Sequence, residues 1–311
     1  MGNHVKSKLG ELMNTQQTII TKDETTKKEQ PTHKKEHYVV SSARRLKEIA
    51  IQQGLAANLQ PPKPEETLLK RALYREKLLR EQQQQNLEKI VKLAHDYCND
   101  ETAGDPDPDW LHRFFEMAKD IHDSSMQKLW SQIFKQEVIS PGSTSMKALK
   151  VLKDMTQREA QTFQRAASLA CSFGQDSSKK LLLGYKCAGT FFNFYKTDGP
   201  QLIHLGNYKL PYSSLLLLIE LGLLLSTELE SGEIEFEPAL PLQYQGKNIA
   251  IKPMQKGSRL VYYRFSPTGA ELCKLLGNKP NENYYDNLIS LLSQKFMVET
   301  DVAAKSISTM A

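Results

Sequence analysis

Cysteine is scarce in this chain. Four thiols in 311 residues (Cys98, Cys171, Cys187 and Cys273) stand far apart with no C-x-x-C pair, which excludes a disulfide framework and a zinc ribbon and fits a reducing cytoplasm. Long apolar runs are missing too. The longest, Leu215–Leu225, spans eleven positions and contains Glu220, whereas a bilayer helix needs about 20 apolar residues. No membrane span is expected. No apolar h-region of a secretory signal follows Met1, and Lys6 stands where a myristoylation motif on Gly2 would carry a hydroxyl. Among the histidines, His95, His112, His122 and His204 form no i,i+4 pair and no H-E-x-x-H. No metal and no other cofactor is expected on that basis.

What is present describes two compact units and a tail. Apolar residues make up 40% of the chain, enough for a normal core. The net charge of +5 is unevenly spread. Residues 1–95 carry 18 Lys and Arg against 11 Asp and Glu, and residues 96–311 carry 23 against 25. The basic surplus belongs to the amino-terminal part. Residues 1–40 are rich in Lys, Thr, Gln and Glu without apolar periodicity, so they read as a disordered basic tail.

Residues 41–175 read as helical. A short helix is expected from Ala43 to about Leu55, interrupted by Pro61, Pro62 and Pro64. A long one follows over about 65–98, free of Pro and Gly, with Leu68, Leu69, Ala72, Leu73, Leu79, Leu87, Ile90 and Ala94 recurring at helical spacing. Its middle, Arg80-Glu-Gln-Gln-Gln-Gln-Asn86, loses the apolar stripe. Either it bridges two packed ends through water, or it meets a partner there through polar contacts. Antiparallel helices are expected over about 108–173. Asp107 and Pro108 open the first; Ser124 with Gln127, Ser143 or Thr144, and Thr156 with Glu159 are the candidate caps of the others.

Residues 176–300 change texture. Leu215–Leu225 reads as a buried helix ending at Gly222, Ile234 and Phe236 alternate with glutamates as in a strand, and Ile249–Lys252 with Leu260–Phe265 read as a hairpin turning near Gly257. A helix from Ser266 and a last strand at Phe296–Val298 complete the set, before a flexible tail at 301–311. The expected fold is therefore mainly α: a helical bundle with one long helix, then a small α+β, winged-helix-like domain.

Several stretches carry the chain's resemblance to a family of uncharacterised bacterial proteins known as a domain of unknown function. They include Gln85–Ile90, Asp109-Trp110-Leu-His-Arg-Phe114-Phe115, Met126-Gln127-Lys-Leu-Trp130, Glu137, Pro141-Gly142-Ser143 and Glu220–Leu223. The resemblance covers roughly residues 65–275 and implies no activity, cofactor or catalytic residue.

Four patterns look like chemistry. Ser143, Thr144 and Ser145 crowd Lys147, but the S-x-x-K of serine acyl-enzymes needs serine three residues before the lysine, and Thr144 is there. The knot reads as a stop and restart between helices. Asp105, Asp107 and Asp109 imitate a calcium loop, yet prolines 106 and 108 forbid its curl. Gly184-Tyr-Lys-Cys-Ala-Gly189-Thr190 has P-loop glycines without the lysine. The fourth is a candidate nucleic-acid contact: Lys247, Lys252, Lys256, Arg259 and Arg264 with Tyr262 among them and no acid from 247 to 264. Five glutamates between Glu228 and Glu237 stand ready to neutralise it. The leucine-rich helix beside it offers no side chain to a base edge.

The leading expectation is a non-enzymatic cytoplasmic interaction protein, with a protein partner or a second copy as its occupant. Nucleic-acid binding by 247–264, in stress or phage response, is the first alternative, and an unrecognised hydrolase is the second.

Overall fold

A computed structural model of the chain describes residues 41–60, 66–188 and 199–300. The expected tails at 1–40 and 301–311, the linker prolines 61, 62 and 64, and Gly189 and Thr190 of the P-loop-like segment lie outside them. Residues up to Pro61 and from Pro62 onward form separate compact units.

The first unit contains α1 (Ser42–Gln52) and a 3-10 turn (Ala56–Leu59). Ser41 caps α1 by accepting from the Arg44 N–H at 3.3 Å. No residue of α1 is buried, although Leu46, Ile49 and Ile51 lie on it.

The second unit begins with five helices: α2 (Leu68–Tyr97), α3 (Pro108–Ala118), α4 (Ser124–Ile139), α5 (Met146–Asp154) and α6 (Gln157–Ser168). Asp107 caps α3 with Pro108 in its first turn, and Thr156 with Glu159 forms a full capping box on α6. Two expected caps are displaced. Asp123, not Ser124 with Gln127, caps α4 by accepting from the Ser125 and Met126 N–H groups at 3.0 Å. Ser145, not Ser143 or Thr144, caps α5. Both fit the preference for a short oxygen-bearing side chain directly before the first helical turn.

The remainder overturns the expected fold class. Eight antiparallel strands form one sheet: β1 (Ala170–Phe173), β2 (Asp176–Lys186), β3 (Gln201–Leu202), β4 (Leu224–Glu230), β5 (Leu240–Tyr244), β6 (Lys247–Pro253), β7 (Arg259–Phe265) and β8 (Phe296–Thr300). Their order is β4-β7-β2-β1-β5-β6-β8, with β3 on β2. This is a large sheet and not a small winged-helix-like domain, although helix still outweighs strand among the described residues. The segments expected to be a 249–265 hairpin are strands, but they do not pair. β6 lies between β5 and β8, and β7 lies between β2 and β4. Alternation reveals a strand; it does not name its neighbour.

The leucine run is also divided. It supplies α7 (Tyr212–Glu220), turns at Gly222, and continues as β4. Ile234 and Phe236 lie in no strand, though Ile234 is buried and its N–H donates to the Ser258 carbonyl at 3.0 Å.

The sheet curls. Tyr185 on β2 and Phe296 on β8 are four strands apart, about 19 Å in a flat sheet, yet their rings meet at 5.6 Å. Helices α8 (Pro267–Leu275) and α9 (Glu282–Leu292) pack on β2, and α8 also touches α4 and α5. Gly269 permits the close approach of α8 to the α7–β4 turn, since a Cβ there would stand 2.1 Å from the Leu223 carbonyl oxygen. One continuous hydrophobic core, from Ile90 and Trp130 to Tyr244 and Phe296, runs through the helices and the sheet.

Candidate functional site

The hydroxyl knot closes around a carboxylate. Glu137, in the last turns of α4, is buried. It accepts from the Gly142 N–H at 2.6 Å, the Thr144 N–H at 3.0 Å and the Ser143 hydroxyl at 3.2 Å. Gly142 sits at φ +79, a left-handed turn that a side chain would strain. The Trp110 indole donates to the Thr144 carbonyl at 2.8 Å, the Ser145 N–H donates to Glu271 on α8, and the Pro141 ring fills the space beside Gly104. The arrangement ties α3, α4, α5 and α8 together at one corner. Of the residues that carry the family resemblance, Trp110, Glu137, Pro141, Gly142 and Ser143 meet in it, and Glu271 joins from 126 residues away. Sequence spacing carries no signal for that last contact.

Beside the knot, Phe114 stacks on Trp110 at 5.0 Å and meets Trp130 at 5.3 Å and Phe134 at 5.2 Å. Trp110 and Trp130 are core residues. Asp109 lies exposed in the first turn of α3, where its charge complements the helix dipole. The calcium-like aspartates include the α3 cap, and among the described residues no cluster of His, Cys, Asp or Glu is placed to hold a metal.

The basic stretch is largely neutralised. Lys247 pairs with Glu282 at 2.5 Å and lies over the Tyr285 ring. Lys252 pairs with Glu237 at 2.8 Å, Arg259 with Glu230 at 3.4 Å and Arg264 with Asp176 at 3.5 Å. Glu230 also binds Lys186, and those lysine and arginine partners hold its carboxyl below the usual range. Tyr262 packs edge-on against Phe173. Lys256 alone of the five cations is in no ion pair among the described residues. Because β6 and β7 are separated within the sheet, the six positions do not make one wing.

Buried Lys180 is likewise spoken for. Its ammonium lies 3.3 Å from Asp176, donates to the Asp176 and Ser178 carbonyls at 3.1 and 3.2 Å, and sits over the Phe173 ring. Burial lowers its pKa.

An apolar surface without an explanation inside the chain lies on α2. Its carboxyl-terminal half packs against α4, with Asn86, Ile90 and Ala94 buried. The polar middle that interrupts the stripe is satisfied inside the chain. Gln127 donates to Asn86 at 3.2 Å, Asn86 donates to the Lys119 carbonyl at 2.8 Å, and Gln83 donates to Asp120 at 3.0 Å. The amino-terminal half has no such cover. At 100° per residue Leu68, Leu69, Ala72 and Leu79 continue the face carrying Asn86, Ile90 and Ala94. Yet Leu68 is 75% exposed, Leu69 67% and Leu79 43%, and Leu73 at the edge of the face is open as well. About 15 residues, roughly 22 Å of helix, overhang the α3–α4 turn.

A family model described as "Protein of unknown function (DUF2806)" matches residues 70–289. The chain belongs to that family. The DUF2806 match takes in the Glu137 knot, the whole of α3 to α8 and nearly all of α2, and it begins two residues into the overhang. No curated protein and no solved structure matches the chain. Among the described residues no helix is long and apolar enough to cross a membrane.

Proposed function

We propose that this DUF2806 protein is a non-enzymatic interaction protein that self-associates through the overhanging half of α2. The observation that carries the reading is the continuity of one apolar face, covered by α4 after Gln83 and open before it. Apolar surface of this extent on a soluble chain marks an interface. A second copy is the occupant best matched to it, because the charges flanking the stripe have both signs. The hydroxyl knot supports the non-enzymatic part of the reading, since Ser143 donates to a carboxylate already engaged by two backbone N–H groups.

Cross-linking of a mixture of isotope-labelled and unlabelled full-length protein tests it. The expected result is Lys70–Lys77 links joining a labelled to an unlabelled copy. Links confined to single copies overturn self-association. A monomer that loses a co-purified protein on Leu69→Glu would assign the stripe to another partner.

A further inference from the structure

A second surface, of opposite character, lies where α6 and α8 end and contains no residue of α2. Two adjoining lobes, of about 460 and 250 Å³, share Ala167 and Gly277. The ends of α6 and α8, strand β2 and the β5–β6 turn enclose them. Arg165 and Lys279 line the larger lobe, and Lys179 and Lys274 the smaller. No Asp or Glu lines either lobe, and among the described residues none of the four cations is in an ion pair. Arg165 and Lys274 stand in last helical turns, where they complement helix dipoles. Lys179 on β2 and Lys279 in a loop have no such reason to be there.

The cleft is held in shape by one side chain. Gln245, in the turn between β5 and β6, donates to the Ala167 and Ala170 carbonyls at 2.7 and 3.0 Å and accepts from the Lys279 N–H at 3.0 Å. It thereby ties the end of α6 to the loop bearing Lys279 before any ligand arrives. Cys273 lines the smaller lobe, and burial pushes its thiol up to about 12, so it adds no negative charge. No aromatic residue lines either lobe, so a base would find no stacking surface. What remains is attraction for anions, concentrated by a concave surface of a single sign.

We propose that this cleft binds a run of two or more phosphates, one cation pair from each lobe taking successive phosphates. A short polyphosphate chain and the backbone of a single-stranded nucleic acid share that chemistry. The site is independent of the α2 stripe, so failure of either reading leaves the other standing.

The test uses the full-length protein, with tripolyphosphate in calorimetry and a fluorescent single-stranded oligonucleotide in anisotropy, each at about 50 and about 200 mM salt. At least one probe is expected to bind at the lower salt and weaken at the higher. Replacing Lys179→Glu and Lys279→Glu together should remove detectable binding of that probe, while Lys256→Glu, outside the cleft, retains it. Exposed Lys279→Gln alone guards against a misfolded double variant, and should lower the slope of log affinity on log salt by about one. Binding of tripolyphosphate alone assigns the site to free polyphosphate; tighter binding of the oligonucleotide assigns it to a nucleic-acid backbone. No binding of either probe at about 50 mM salt, or binding unchanged in both cleft variants, overturns the proposal.

Discussion

Gln127 on α4 reaches Asn86 on α2 inside the helical layer, Nε2 to Oδ1 at 3.2 Å, with both side chains buried. The same amide donates to the Ile121 carbonyl at 2.8 Å. This contact marks the level at which α2 enters the core, and the open apolar turns lie on its amino-terminal side. Gln127→Ala leaves the buried Ile121 carbonyl without its side-chain donor, while Asn86 Oδ1 keeps Gln82 at 3.1 Å; the change should cost about 1–3 kcal/mol. Urea denaturation measures it. Replacing both amides with leucine should cost at least as much as Gln127→Ala alone, because the Ile121 and Lys119 carbonyls then both lose their side-chain donors.

The Glu137 knot makes a sharper distinction. Glu137→Ala strands the Gly142 and Thr144 N–H groups and should destabilise the protein by about 3 kcal/mol. Ser143→Ala removes one half-buried hydroxyl and should cost less than about 1 kcal/mol. Equal losses in denaturant midpoint would contradict the account of this corner.

Asp176 is predicted to titrate low. The Ser178 hydroxyl and N–H donate to it at 2.6 and 2.8 Å, and with Lys180 beside it they hold its carboxyl at about 2. A depressed carboxyl stabilises the fold above its unfolded value of about 4. That contribution fades as pH falls from about 4 toward 2. Asp176 is half exposed, so the contribution is small. NMR titration of its side-chain carboxyl should give a midpoint near 2, and Asp176→Asn should narrow its stability gap from wild type as pH falls through that window.

Thiol reactivity should follow burial. Cys98 is exposed, whereas Cys171 and Cys273 are buried with thiols pushed up to about 12. Brief alkylation of the native protein, read by mass spectrometry, should label Cys98 and spare those two until denaturant is added. Early labelling of Cys171 would contradict the core described above.

Local structure was largely legible in the sequence, and pairing was not. Asp107-Pro108 and Thr156 with Glu159 announce helix starts because capping is a contact within one turn. Glutamine at 127 misleads the same rule, since its amide turns inward to Asn86 and Asp123 takes the cap. The sheet was hidden because its contacts are distant. β1 lies beside β5, about 70 residues on, and nothing in Leu260–Phe265 says that its neighbours are β2 and β4. The neutralisation of the basic stretch was legible in part: Glu237 and Glu230, which pair with Lys252 and Arg259, belong to the glutamates expected to do it. Glu282 and Asp176, which pair with Lys247 and Arg264, lie outside the glutamates near it in sequence. The cleft cations come from three separate elements and a loop, so no window of sequence collects them.

The central claim is that the uncovered half of α2 joins two copies, and sedimentation equilibrium tests it most directly. The wild-type protein should sediment at twice the 35.4 kDa chain mass, and Leu69→Glu with Leu79→Glu at a single chain mass with an unchanged melting temperature. A wild-type protein at a single chain mass across the accessible concentrations would contradict it.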